Sequence, residues 1–203
     1  MQEHKPGHPA TLWAKEMMAR PNVVVLDTET TGLGPKDEII DIAIIDTAGQ
    51  KRLDMLMQCQ SPTIPAEATA IHHITKQMLT NARAFPQIWE RVMAFLETRE
   101  IIIYNADFDM RMLKQTARRY RLPLPELHAH CLMKKYSEYI GELQPRSNEY
   151  RSFKLSAACQ HFNVAQPTAH RALADTQSTL GLLQKMAAMA DAPQKAQQPL
   201  QPR

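Results

Sequence analysis

Two carboxylates stand where an apolar run near the amino end of the chain stops. Val23 to Leu26 form an uninterrupted aliphatic segment, which is typical of a buried strand. Asp27 and Glu29 follow it, and because side chains alternate along a strand, both carboxylates leave the same face. Crowded carboxylates repel each other unless a proton or a cation lies between them. Hard oxygen ligands favour Mg²⁺ or Mn²⁺, so the pair predicts metal-assisted chemistry on phosphate.

Further candidate ligands follow two later apolar patterns. Ile101 to Tyr104 is a second aliphatic run, and Asn105-Ala106-Asp107-Phe108-Asp109 comes directly after it. His170 and Asp175 open the last long amphipathic segment. We expect Asp175 in the first turn of a helix, where the macrodipole favours negative charge, and His170 in the loop just before it.

Taken together, these residues resemble the DEDDh 3′→5′ exonucleases, the group typified by the proofreading epsilon subunit of bacterial DNA polymerase III. The resemblance runs from about Val23 to about Met189. It is carried by three blocks in the family's order: Asp-Thr-Glu-Thr-Thr-Gly, Asn-Ala-x-Phe-Asp and His-x4-Asp. It implies an α/β, ribonuclease H-like fold with a central mixed five-stranded sheet flanked by helices.

The resemblance also implies a role for individual residues. It implies four metal ligands and a general base: Asp27, Glu29, Asp109 and Asp175, with His170. Two Mg²⁺ or Mn²⁺ ions in one site can stabilise the attacking and leaving oxygens of an in-line phosphoryl displacement. Histidine suits the base because it exchanges protons near neutral pH. The backbone around Thr30 and the side chain of Leu33 would meet the terminal nucleotide, where an apolar side chain can unstack bases.

A further segment, separate from these three blocks, is similar to the substrate loop of epsilon-type enzymes. It runs from Pro65 to Thr75, and the resemblance implies that Glu67 and His72 contact the terminal nucleotide. His73 occupies the position of the family's usual glycine. If that glycine serves a positive φ, His73 would adopt one at the cost of modest strain.

The third acidic ligand, Asp109, has an alternative. Asp107 lies nearer to the strand end than Asp109 and could be the ligand, although the family pattern places the carboxylate after the aromatic residue. Three acidic neighbours of the first motif, Asp37, Glu38 and Asp41, are expected to face solvent.

A zinc site is a further alternative. His128-Ala129-His130-Cys131 places two histidines on one face of a predicted strand, and zinc binds such side chains. Apart from Cys159-Gln160-His161, no second pair stands at a finger-like spacing, so a strand without metal is the preferred interpretation.

Composition narrows the class of protein. The chain has 203 residues and 44% hydrophobic content, which is enough for the core of one domain. A formal charge of +3 and a pI near 8.8 are compatible with a polyanionic partner but too mild to indicate one alone. The sequence lacks a run of eighteen apolar residues, which argues against a membrane protein. Three widely spaced cysteines fit a reducing cytoplasm.

Periodicity predicts a single exonuclease domain over residues 11–190, with disordered segments at 1–10 and 191–203. The expected strands cover residues 23–26, 38–45, 52–59, 101–104 and 128–132, the first three as an antiparallel meander. The expected helices cover residues 11–20, 86–98, 108–121, 155–162 and 172–190. Residues 141–153 are expected to form a surface loop near the mouth of the active site.

The predicted function is a metal-dependent 3′→5′ exonuclease that releases nucleoside 5′-monophosphates from single-stranded or frayed DNA 3′ ends. An exoribonuclease that trims RNA 3′ ends is one alternative. A non-catalytic, nucleic-acid-binding polymerase-accessory module is another, disfavoured because all five catalytic positions are filled. A sliding-clamp contact also stays open, since Gln197-Gln198-Pro199-Leu200 resembles a clamp-binding peptide, but glutamine-rich tails are common.

Overall fold

A computed structural model describes residue 5, residues 7–167 and residues 170–191. Six strands form one sheet in the order β4-β3-β2-β1-β5-β6. The strands are β1 (Val23–Thr30), β2 (Ile39–Asp46), β3 (Lys51–Gln58), β4 (Arg83–Ala84), β5 (Glu100–Ile103) and β6 (His128–Cys131). The α-helices are α1 (Pro9–Ala19), α2 (Ala66–His72), α3 (Phe85–Leu96), α4 (Ala106–Tyr120), α5 (Leu132–Ile140), α6 (Leu155–His161) and α7 (Ala172–Met189), and a 3₁₀ helix covers Lys76–Leu79.

The sheet is mixed. The meander β1-β2-β3 is antiparallel, as predicted, whereas β5 runs parallel to β1 and β6 runs parallel to β5. The predicted mixed α/β class is therefore confirmed. The sheet has six strands, one more than the five predicted. The extra strand, β4, is only two residues long and pairs with the end of β3, so it is too short to produce a periodic signal.

Side chains of β1 alternate between two hydrophobic layers. Val24 and Leu26 pack in one core with residues of α3 and α4, whereas Val23 and Val25 pack in a second core with residues of α1 and α7. Because the alternation continues along the strand, Asp27 and Glu29 share the α7 face. No helix within the described residues is long and apolar enough to cross a bilayer.

Several boundaries differ from the pattern. Helix α1 begins at Pro9 because proline fits the first helical turn and His8 Nδ1 accepts a hydrogen bond from the Ala10 amide (3.2 Å). Pro9 and Ala10, predicted to be disordered, are thus helical. Strand β1 continues past Leu26 to Thr30, and α5 follows β6 directly without having been predicted. Residues 192–203, including the glutamine-rich peptide, lie outside the described residues.

The expectation that the acidic neighbours of the first motif face solvent was wrong. Glu38 and Asp41 are each 1% exposed, and Asp37 is half-buried. The carboxylate of Glu38 accepts hydrogen bonds from four donors: the Gln60 and Ser61 amides, the Arg119 guanidinium and the Tyr120 hydroxyl. Burial is tolerated because these donors replace the water that the charge loses.

Candidate active site

Three carboxylates converge where β1 meets α7. Asp27 and Glu29 leave β1 on the face covered by α7, and Asp175 lies in the first turn of that helix. One oxygen from each of the three carboxylates lies within 4.8 Å of the others. Among the described residues, this is the sole group of three or more acidic, histidine or cysteine side chains close enough to hold a metal ion.

Asp109 reaches the same cleft from the opposite helix layer. It lies in the first turn of α4, and its Oδ1 accepts hydrogen bonds from the backbone amide (3.1 Å) and hydroxyl (2.7 Å) of Thr28. Since Thr28 faces α4 while Asp27 and Glu29 face α7, these bonds tie the fourth carboxylate to the strand that carries the first two. Asp107 points elsewhere: its side chain is 72% exposed and pairs with Lys134 at 2.7 Å.

His170 lies just before α7, in a cleft of about 200 Å³ that it lines with all four carboxylates. It is exposed and has a positive φ of 65°. The residue after it is anchored, because Arg171 Nε donates to Asp41 Oδ2 at 2.9 Å. The amide of Ala172 donates to the same oxygen at 3.4 Å. Asp41 on β2 therefore fixes the turn from which His170 projects.

The pKa values of all four carboxylates in the cleft are raised. Burial, and after it the charge of Asp109, raises the pKa of Asp27 well above its ordinary value. Burial and the nearby Asp175 raise the pKa of Glu29 to about 8. Burial raises the pKa of Asp109 to about 7, although the hydrogen bond from Thr28 opposes the rise. The pKa of Asp175 is also raised by burial, against the positive charge of His170.

These residues fit a divalent cation. Each member of the cluster offers hard carboxylate oxygens. Burial raises the pKa values of these groups, and for Asp27 and Glu29 so does repulsion from neighbouring carboxylates, a cost that a bound cation would relieve. Oxygen-rich sites of this kind suit Mg²⁺ or Mn²⁺. Both hydrogen bonds from Thr28 to Asp109 go to Oδ1.

Thr30 is the last residue of β1, and Leu33 lies in the loop that follows. The hydroxyl of Thr30 donates to the carbonyl of Gly32 (2.8 Å), which closes the first turn of the loop. Leu33 is 76% exposed, although an isolated leucine would ordinarily be expected to bury its side chain. Neither residue lines the carboxylate cleft.

Two residues of the segment from Pro65 to Thr75 were predicted to bind substrate, and they differ in their exposure to solvent. Glu67 is exposed in the first turn of α2 and does not line the cleft. His72 is 2% exposed, and both of its ring nitrogens are engaged: Nδ1 accepts from the Ile74 amide (3.0 Å), and Nε2 lies 3.2 Å from the Thr30 carbonyl. His73 has a φ of 59°, as expected for the position of a family glycine.

The zinc alternative finds no support in the described residues. His130 Nε2 lies 2.5 Å from a carboxylate oxygen of Glu100, and neither His128 nor Cys131 joins it in a group that could hold a metal.

Sequence reasoning missed some residues of the site. Asp41 anchors the turn of His170, and Tyr104, Asn105 and Leu155 line the cleft. Asn105 follows a predicted strand and begins the Asn-Ala-x-Phe-Asp motif, which was an available signal. Asp41 gave none, because only the packing of α7 against β2 brings Arg171 to it.

Comparisons with known proteins agree with this geometry. The exonuclease family model of the RNase T type matches residues 24–183. An uncharacterised exonuclease of Escherichia phage 186 is 42% identical over 172 residues, covering 81% of this chain and 87% of the phage protein.

Two solved structures share the fold. Escherichia coli exonuclease I in complex with a dA16 oligonucleotide superposes with a TM-score of 0.66 at 18% identity, covering 85% of this chain and 42% of that one. The nuclease domain of 3′hExo, a DEDDh family member bound to rAMP, gives 0.64 at 14% identity, covering 81% and 90%. At these identities the two structures support the ribonuclease H-like fold alone. On the strength of the family model and the phage relative, this chain belongs to the RNase T exonuclease family and is a nuclease.

Proposed function

We propose that this protein is a divalent-metal-dependent 3′→5′ exonuclease that removes nucleoside 5′-monophosphates from single-stranded or frayed DNA 3′ ends. One observation carries the proposal. The oxygens of Asp27, Glu29 and Asp175 lie within 4.8 Å of one another, and His170 lines the same cleft. This combines a hard-cation site with a proton acceptor, which is what phosphodiester hydrolysis by an activated water requires.

The placement of the carboxylates supports a metal-binding role for each of them. Asp27, Glu29 and Asp175 would hold one Mg²⁺ or Mn²⁺ ion, and Asp27 with Asp109 a second. When bound, the two ions stabilise the negative charge that develops on the phosphoryl oxygens. Thr28 orients Asp109 for this role by donating two hydrogen bonds to Oδ1.

His170 would take the proton from the attacking water. The negative charge of Asp175 stabilises the imidazolium that results. Because Arg171 is held by Asp41, the backbone beside His170 is fixed, and the imidazole need not be ordered anew in each turnover.

At the substrate end, Leu33 would contact the terminal base with its exposed side chain, and Glu67 would contact the terminal nucleotide. His72 takes a positioning role instead of direct contact. Its Nδ1 accepts a hydrogen bond, so its Nε2 carries the proton and donates to the Thr30 carbonyl. Both ring nitrogens are therefore hydrogen-bonded, and His72 holds the segment from Pro65 to Thr75 against the end of β1.

Digestion of matched oligonucleotides tests the proposal. Single-stranded DNA, duplex DNA, RNA and circular single-stranded DNA of related sequence are incubated with Mg²⁺, with Mn²⁺ and with chelator. We expect stepwise release of mononucleotides from linear single-stranded DNA with either metal. Asp27→Asn should be inactive, and Asp107→Asn, a matched change at an exposed aspartate, should be active.

Two results would overturn parts of the proposal. Cleavage of the circle would contradict the requirement for a free end. Faster digestion of RNA than of DNA would favour the exoribonuclease alternative, since the 2′-hydroxyl distinguishes the two substrates.

A further inference from the structure

A basic groove runs along α4 and shares no lining residue with the carboxylate cleft. Its volume is about 620 Å³, and five of its seven lining residues are cations: Lys36, Arg111, Lys114, Arg118 and Arg119, together with Pro35 and Gln115. No carboxylate lines it. Because the whole chain carries a formal charge of only +3, this groove concentrates positive charge to a degree that composition does not explain.

Most of these cations form no ion pair with a described carboxylate. Arg119 forms an ion pair with the buried Glu38 (3.3 Å), but Lys36, Arg111, Lys114 and Arg118 form none with the described carboxylates. Lys114 and Arg118 are exposed and four residues apart on one helix face, where like charges repel and destabilise a helix. A bound anion would neutralise these charges and relieve their repulsion.

The groove adjoins the loop that presents Leu33. Arg111 Nη1 donates to the Leu33 carbonyl (3.4 Å), and Gln115 Nε2 donates to the carbonyls of Gly34 (3.0 Å) and Asp37 (2.5 Å). The loop that carries Leu33 is thus pinned to α4 beside the groove.

The cleft has its own polar extension on the opposite side. Beyond His170 it continues into a pocket of about 510 Å³ lined by Ser152, Lys154, Ser156 and Gln166. This extension can receive the strand that is cut. The groove on α4 is therefore available for a different strand.

We infer that the α4 groove binds the phosphate backbone of the complementary strand at a frayed DNA end, with Leu33 between the two strands. This deepens the proposed function and rests on it. Arg111 and Arg118 are separated by seven residues, or about 10 Å along the helix axis. At about 3.4 Å of rise per phosphate along one strand, the groove spans about three phosphates.

Fluorescence anisotropy in chelator, with and without added salt, tests the inference. The probes are a single strand and a DNA hairpin whose open end is frayed by mismatches. The double variant Lys114→Ala, Arg118→Ala removes two phosphate contacts. We expect at least about 10-fold weaker binding of the frayed hairpin near 0.1 M salt, and a log–log salt slope shallower by about 1.4–1.8. Binding of the single strand should change by less than about twofold.

Controls separate this effect from a general loss of charge. Arg91→Ala with Lys185→Ala removes two exposed cations from α3 and α7 and should bind both probes like the parent. The charge-retaining exchange Lys114→Arg with Arg118→Lys should keep the affinity for the hairpin.

Each remaining outcome contradicts the inference. Equal weakening for both probes would assign the groove to the cut strand, and no weakening would leave it without a nucleic-acid role. Hydrolysis of the p-nitrophenyl ester of thymidine 5′-monophosphate by the parent protein with Mn²⁺ tests the proposed function separately. An active parent with an unaffected hairpin affinity in the double variant would reject the groove and retain the exonuclease.

Discussion

Replacing Glu29 by glutamine keeps the shape of the side chain and removes one charge from the carboxylate cluster. No described group donates a hydrogen bond to Glu29, so the neutral amide leaves no donor without its acceptor. The pKa of Glu29 rises from 4.5 to about 8 on folding, mainly through burial and then through Asp175. For a group titrating alone, this would destabilise the ionised, metal-free protein by up to about 5 kcal/mol, at about 1.4 kcal/mol per pKa unit.

The expected effect is smaller than this limit. Asp27, Asp109 and Asp175 also have raised pKa values, so they share protons with Glu29, and the half-buried side chain is partly screened by water. We expect Glu29→Gln to stabilise the metal-free protein by about 1–3 kcal/mol at pH 8.5. For a chain of this size, that raises Tm by about 3–10 °C.

The sign of the pH dependence follows from linkage. A carboxyl with a raised folded pKa favours the folded state below pH 4.5, and this contribution is lost as the pH rises through about 8. The gain from Glu29→Gln should therefore be small at pH 5 and grow towards pH 8.5. Added Mn²⁺ should stabilise the parent more than the variant, because the variant has lost a ligand.

Thermal unfolding in chelator at pH 5, 7 and 8.5 measures the effect, with Glu90→Gln on α3 as a matched change at an exposed glutamate. The control should follow the parent at every pH. A Tm for Glu29→Gln at or below that of the parent at pH 8.5 would refute the account of the cluster as a site of unrelieved repulsion.

Three further predictions address neighbouring residues. His170→Ala should lower kcat by about 10²–10⁴, with Mn²⁺ binding retained in calorimetry, whereas lost binding would make the histidine a ligand. Asp109→Asn should abolish hydrolysis of single-stranded DNA while Asp107→Asn retains most of it, and the reverse order would exchange their roles. Arg171→Ala should lower the free energy of unfolding in urea by about 1–3 kcal/mol, because the buried Asp41 carboxylate loses its partner. Combining it with Asp41→Asn should recover part of that loss, and no recovery would separate the two residues.

The sequence by itself determined the elements whose signals are local. The aliphatic run at Val23 to Leu26, ending in Asp27 and Glu29, was sufficient to predict both the strand and the shared face of the two carboxylates. The antiparallel meander and the long final helix were predictable for the same reason, since their periodicity lies within a few residues. The order of the acidic motifs also sufficed to indicate the family.

Only the tertiary structure decided how distant segments meet. Periodicity could not show that Asp109 arrives from the opposite helix layer and is held by Thr28, 81 residues away in sequence. Nor could it show that Glu38 and Asp41 are buried, because their burial depends on donors from α4 and from the start of α7. A carboxylate looks alike in sequence whether water or a distant guanidinium surrounds it. Its environment is set by long-range packing, and that packing decides which acidic residues gather in the cleft and which hold the fold together.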